Sequence, residues 1–115
     1  MKVVINACHG GFGLSHEAMM LYGELADLNL DFSESNYGSV HYYIDGMIDD
    51  EKFYFSDRDI ARDDPDLIAV VERLGEKANG KYSELKVIEI PDDVNWYVEE
   101  YDGREWVAER HRTWE

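Results

Sequence analysis

A chain of 115 residues is long enough to form one domain with its own hydrophobic core. Its formal charge of −15, from 26 acidic against 11 basic residues, disfavours direct binding to a nucleic-acid backbone and suits a basic partner. A single cysteine excludes an intrachain disulfide, and no apolar run approaches the roughly 20 residues needed to cross a membrane.

The N-terminus lacks the charged n-region and long apolar h-region of a secretory leader, so the expected compartment is the cytoplasm. The first element is the β-branched run Lys2–Ala7, which reads as a strand buried on both faces. Gly10, Gly11 and Gly13 follow as a turn. Ser15 is the expected N-cap of a helix, with Glu17 in its first turn. Ala18, Leu21, Tyr22 and Leu25 form its core stripe, widened by Met19 and Met20, while Gly23 costs the helix some stability.

Asp27–Gly38 is polar with scattered apolar residues and reads as an irregular or partly extended connection. Val40–Ile44 is β-prone, Asp45-Gly46 is a two-residue hairpin signal, and Lys52–Phe55 is a candidate returning strand after Asp49, Asp50 and Glu51. Asp64-Pro65 opens a second helix whose core stripe is Leu67, Val70, Val71, Leu74 and Ala78, with a stop at Asn79-Gly80.

The last third reads as sheet. Leu85–Ile90 is a strand, Pro91-Asp92-Asp93 a turn, and Val94, Trp96 and Val98 alternate as in a half-buried strand. Asp102-Gly103 is a hairpin signal. A type I′ turn there pairs Val98 with Val107 and Glu100 with Glu105, a like-charge pair that works against this register. Glu105–Trp114 admits strand or helix, with strand preferred. The order predicts an α+β single domain with two helices on one face of a mostly antiparallel sheet.

The turn Cys8–Ser15 carries the chemistry most open to interpretation. A strand feeding a helix N-terminus presents unpaired N–H groups to an anion. The turn lacks the Lys-Ser/Thr ending of a P-loop. It is not G-x-G-x-x-G, because His16 stands where the third glycine belongs, and Leu14 replaces the arginine of a cysteine-phosphatase loop. Cys8 near a helix start, with His9 and His16 as potential bases, outlines a nucleophile, although a lone cysteine also serves as a small buried residue. Cys8, His9, His16, His41 and His111 lack paired zinc-ligand spacing, and no EF-hand loop is present, so neither a metal nor a cofactor is expected.

Acidic residues crowd the middle of the chain and again Asp92–Glu105, either as a solvated face or as a mimic of DNA phosphates. The basic tail Arg110-His111-Arg112 followed by Trp114 either grips an acidic ligand or neutralises the chain's own carboxylates.

The segments VINACHGGFGLSHEA and EIPDDVNWYVEEYDGREWVAERHRTW resemble a family of small bacteriophage and prophage proteins with a similar Cys-to-GGF segment and a similar HRTW ending. The resemblance covers the N-terminus to about Met20 and the stretch from Asp63 to Trp114, and leaves out the middle. It implies a phage accessory context, in which small acidic proteins bind host proteins and antagonise defences; such analogy does not fix function.

Two functions from different classes follow. One is a non-enzymatic accessory protein that binds and inhibits a basic host protein such as a defence nuclease. Its contacts would be Tyr42, Tyr43, Asp49, Asp50, Glu51, Tyr97, Glu99 and Trp106. The other is a small-molecule or nucleotide module, a sponge or an enzyme. It would use Cys8, His9, Gly10, Gly11, Gly13 and Ser15, closed by His111 and Arg112, with the loop and the C-terminal hairpin side by side around a pocket. Exposed aromatics would serve a homodimer as readily as a partner.

Overall fold

The structure, a computed structural model that describes residues 1–44 and 54–110, is organised around the N-terminal strand. Strand β1 (Lys2–Asn6) is buried from Val3 to Asn6, as its uninterrupted apolar run requires. It pairs antiparallel with β5 (Leu85–Glu89), from Lys2 opposite Glu89 to Asn6 opposite Leu85. Its other edge carries no strand ladder among the described residues. There the Val4 N–H donates to the Arg62 carbonyl at 2.8 Å and the Asn6 N–H to Glu105 Oε1 at 2.8 Å. Every buried N–H needs an acceptor, and these two are found outside the sheet.

Helix α1 (His16–Leu25) begins at Ser15, whose hydroxyl accepts the Ala18 N–H at 3.1 Å. Ala18, Met19, Tyr22 and Gly23 are buried, while Leu21 and Leu25 pack at the margin of the core. Gly23 has a packing reason: a Cβ there would lie 2.8 Å from Leu30 Cβ. Helix α2 (Pro65–Leu74) is capped by Asp64, whose Oδ1 accepts the Asp66 N–H at 2.8 Å while Oδ2 accepts the Tyr22 hydroxyl at 2.8 Å. One carboxylate thereby caps α2 and fixes α1 against it. Leu67, Val70, Val71 and Ala78 are core residues, as their spacing predicts.

Helix α2 ends earlier than the Asn79-Gly80 signal implies. Gly75 adopts φ +56°, and a 3₁₀ turn over Gly75–Ala78 carries Ala78 into the core. Asn79 and Gly80 instead dock on the glycine turn, with the Gly80 N–H donating to the Gly13 carbonyl at 3.1 Å.

The expected irregular connection after α1 contains a strand. Strand β2 (Leu30–Glu34) pairs with β3 (Val40–Ile44), and β3 with β4 (Tyr54–Phe55). The β2–β3 turn is closed by polar chemistry: Ser35 Oγ accepts the N–H groups of Tyr37 and Ser39, and Gly38 takes φ +79°. Asp31–Glu34 are exposed, so the strand lacks the half-buried alternation that would mark it in the sequence. Phe55 and Tyr54 belong to the expected returning strand. The Asp45-Gly46 turn and Asp49, Asp50 and Glu51 lie outside the described residues.

Strands β6 (Trp96–Tyr101) and β7 (Arg104–Glu109) form a hairpin whose central residues Asp102 and Gly103 have φ +50° and +88°. Val98 faces Val107 and Glu100 faces Glu105. The like-charge pair is tolerated because each carboxylate has its own donors: Glu100 Oε1 accepts the Gly103 N–H at 3.0 Å, and Glu105 is held by Arg62. The class is α+β, with the antiparallel strands shared among three small sheets, β1-β5, β2-β3-β4 and β6-β7.

Two glycines with similar φ, +79° at Gly38 and +88° at Gly103, separate conformation from contact. A Cβ on Gly103 would lie 2.4 Å from the His9 carbonyl oxygen, whereas Gly38 faces open space. Gly38→Ala is expected to cost about 1 kcal/mol from φ alone, and Gly103→Ala about 2–3 kcal/mol, compared by urea denaturation. Burial, then the hydrogen bond to Asp64, raises the Tyr22 pKa above its ordinary value. The native state thus keeps the Tyr22 proton more tightly than the unfolded chain. This contribution is complete below about pH 10 and is lost as pH rises towards the folded pKa. Tyr22→Phe should cost about 1–2 kcal/mol at neutral pH and flatten the fall in stability above about pH 10, both read from urea midpoints against pH.

Candidate functional site

Asn6, at the end of β1, fixes the glycine turn. Its side chain is fully buried; Nδ2 donates to the carbonyls of Cys8 and Gly103, each at 2.7 Å, and Oδ1 accepts the Glu84 N–H at 2.8 Å. One amide therefore joins β1, the turn, the start of β5 and the tip of the β6–β7 hairpin. Beside it lies the Arg62–Glu105 ion pair, with Nη2 at 2.8 Å from Oε2 and Nη1 on Oε1. Nη1 also donates to the Val4 carbonyl at 3.3 Å, and the guanidinium carbon sits 3.6 Å above the Phe12 ring centroid. Glu105 is only 8% exposed and its carboxylate takes donors from Arg62 and the Asn6 backbone, which compensates its burial.

The glycine turn and the hairpin tip lie side by side around a polar cavity of about 420 Å³. Gly10, Gly11, Phe12, Arg58, Arg62, Glu100, Gly103 and Glu105 line it. Other members of the sequence-derived site have different duties. The half-buried Cys8 thiol is 3.2 Å from the Tyr82 carbonyl and 3.4 Å from Asn6 Oδ1. His9 is exposed, and His16 Nδ1 is paired with the Tyr42 hydroxyl at 2.8 Å. Neither histidine is hydrogen-bonded to the thiol, so no Cys–His couple is assembled among the described residues. Ser15 Oγ donates to the Lys77 carbonyl at 2.6 Å while capping α1, and Asp57 Oδ2 accepts the Leu14 N–H at 3.0 Å. The start of α1 is thus supplied with a carboxylate of the chain itself. His111 and Arg112 lie outside the described residues. Among the described residues, no three His, Cys, Asp or Glu side chains group to hold a metal ion.

A second cluster lies on the opposite face of the β6–β7 ribbon. Alternation sends Tyr97, Glu99 and Tyr101 to the face opposite that of Glu100, and register places Trp106 across from Glu99. The Glu99 carboxylate accepts the Tyr97 hydroxyl at 2.7 Å through Oε1 and the Trp106 indole N–H at 2.9 Å through Oε2. Hydrogen bonding to Glu99 raises the Tyr97 pKa, and the Arg110 guanidinium lies 4.6 Å from the Tyr97 ring centroid. Trp106 and Tyr101 remain 42% and 72% exposed.

The structure brings Tyr97, Glu99 and Trp106 together but changes the expected role of Tyr42. Tyr42 is half-buried, stacks on His16 and points toward α1 rather than standing out as an anchor; burial and then Asp57 raise its pKa. Tyr43 is likewise half-buried. Asn6, Arg58, Arg62 and Tyr101 escaped sequence reasoning. The one local signal for Asn6 was an amide closing an otherwise apolar strand.

No protein-family model, curated protein or solved structure matches the chain.

The Glu105 carboxylate can be tested directly. Glu105→Ala should cost about 3–5 kcal/mol, because it strands a part-buried guanidinium and the Asn6 N–H. Glu105→Gln retains an acceptor for Asn6 and should cost less; urea denaturation of the two variants ranks the hydrogen bond against the charge.

Proposed function

We propose that this protein is a non-enzymatic, phage-type accessory protein that binds and inhibits a basic host protein in the host cytoplasm, docking it on the exposed face of the β6–β7 ribbon. The observation that carries this reading is the Glu99 carboxylate clamped between the Tyr97 hydroxyl and the Trp106 indole. Tyrosine, tryptophan and arginine dominate binding energy where they stand as ordered anchors, and Tyr97, Tyr101, Trp106 and Arg110 supply that chemistry on one face. Hydrogen bonds that hold the rings before contact reduce the ordering cost of association. A formal charge of −15 accelerates encounter with a basic surface. The resemblance to small phage proteins supports a host protein as the owner of that surface, with a defence nuclease as one class.

The test is capture from bacterial lysate at low and moderate salt, followed by affinity measurement on the purified pair. The native protein should retain a stoichiometric basic protein, and a charge-matched control should not. Tyr101→Ala combined with Trp106→Ala should weaken the purified pair by about 100-fold while leaving the melting temperature within a few degrees. Retention of no protein above the control rejects the reading. Undiminished affinity in the double variant moves the contact off this face.

A further inference from the structure

We propose that the polar cavity between the glycine turn and the β6–β7 tip binds the phosphate group of a small phosphorylated molecule, with Arg58 as its principal cationic contact. This site is separate from the docking face, because Glu100 and Glu105 project from the side of the ribbon opposite Tyr97, Glu99 and Tyr101.

Three observations converge on it. Arg58 lines the cavity, and its guanidinium makes no hydrogen bond or ion pair among the described residues, although the chain carries 26 carboxylates. Arg62 supplies a second, fixed guanidinium. Its contacts to Val4 and the two Glu105 oxygens use three N–H groups of the five it carries, which leaves two donors. The third observation is the turn itself. None of the backbone N–H groups from His9 to Gly13 donates to another described residue, and Gly10 and Gly11 form a wall of the cavity.

A tetrahedral oxyanion has acceptors enough for both a guanidinium and several backbone N–H groups, and charge-assisted bonds of this kind are the strong ones. The charged residues of the lining itself do not oppose it. Glu105 is neutralised by Arg62, and the charge of Glu100 is offset by that of Arg58, so the lining balances in a chain that is otherwise strongly acidic. Glu100 is exposed and spends Oε1 on the Gly103 N–H, so its second oxygen is open to a hydroxyl of the same ligand. A cavity of about 420 Å³ falls in the range of small-molecule sites and exceeds what a bare phosphate fills. The walls are also set in advance: a Cβ at Gly10 would meet the Tyr82 carbonyl oxygen at 1.7 Å, and one at Gly103 the His9 carbonyl oxygen at 2.4 Å. The turn is therefore seated against its neighbours before any ligand arrives.

The experiment is calorimetric titration of the full chain in phosphate-free buffer with inorganic phosphate, ribose 5-phosphate and ribose, with melting temperatures in parallel. Both phosphates are expected to bind saturably and raise the melting temperature, and ribose to do neither. Arg58→Gln should weaken ribose 5-phosphate by at least about tenfold, without changing the melting temperature of the free protein, since the exposed side chain makes no hydrogen bond or ion pair among the described residues. Arg73→Gln, at the exposed end of α2, controls for charge alone and should bind as the native chain does. The proposal is overturned if neither phosphate binds saturably. It is equally overturned if Arg58→Gln binds as the native chain does, or if Arg73→Gln weakens binding to the same extent.

Discussion

The architecture depends on how the free edge of β1 is closed. A buried strand with ladder bonds on one side leaves alternate N–H groups pointing away from its partner, and in a dry interior each must be satisfied. Another strand is the usual solution. Here the Arg62 carbonyl takes Val4 and the Glu105 side chain takes Asn6. Glu105 can do so only because Arg62 reaches the same carboxylate from the other side. A carboxylate buried alone would shed its charge or unfold its surroundings; with a guanidinium and a backbone N–H it becomes a bracket between β7, β1 and the segment entering α2.

That bracket explains the hairpin register. Asp102-Gly103 specifies a type I′ turn, and the turn specifies Glu100 opposite Glu105, which on strand-pairing grounds is unfavourable. Tertiary contacts separate the two charges: one carboxylate goes inward to Arg62, and the other folds back onto the Gly103 N–H. The local turn preference prevails because the long-range ion pair removes its cost.

What the sequence made legible is what short-range physics determines. Ser15 and Asp64 are caps because a side-chain oxygen two or three residues away is the nearest acceptor for the first N–H groups of a helix. The burial of β1, the core stripe of α2 and the Asp102-Gly103 turn follow from periodicity and turn chemistry in the same way, whereas the like-charge pair Glu100 and Glu105 argued against the register that this turn sets. The end of α2 at Gly75 was hidden because the apolar spacing runs on through Ala78, which a 3₁₀ turn also delivers to the core. Strand β2 was hidden because it is exposed. Asn6 and Glu105 were hidden for another reason: they meet across 99 positions of sequence, and nothing local separates a buried Glu from a solvated one.

The glycine turn shows how sequence and structure can agree on a place and differ on its chemistry. Three glycines before a helix evoke phosphate at the helix N-terminus. Yet Ser15 and Asp57 already occupy that end, and Gly10 is small because the Tyr82 carbonyl presses against it. The thiol beside it is likewise turned to a carbonyl and an amide rather than to a base. Close packing, rather than ligand access, accounts for these residues. What remains open is the other side of the turn, where Gly11 and Phe12 meet Arg58 and Arg62. Two arginines four residues apart in a polar segment carry no motif, so only the fold could bring them to that wall. The same hairpin thus presents two chemistries through strand alternation: residues of one parity build an aromatic face around Glu99, and those of the other parity build the carboxylate side of the cavity. A one-residue slip of register would exchange the faces and dismantle both, which makes the Glu105 bracket a condition of each site as well as of the fold.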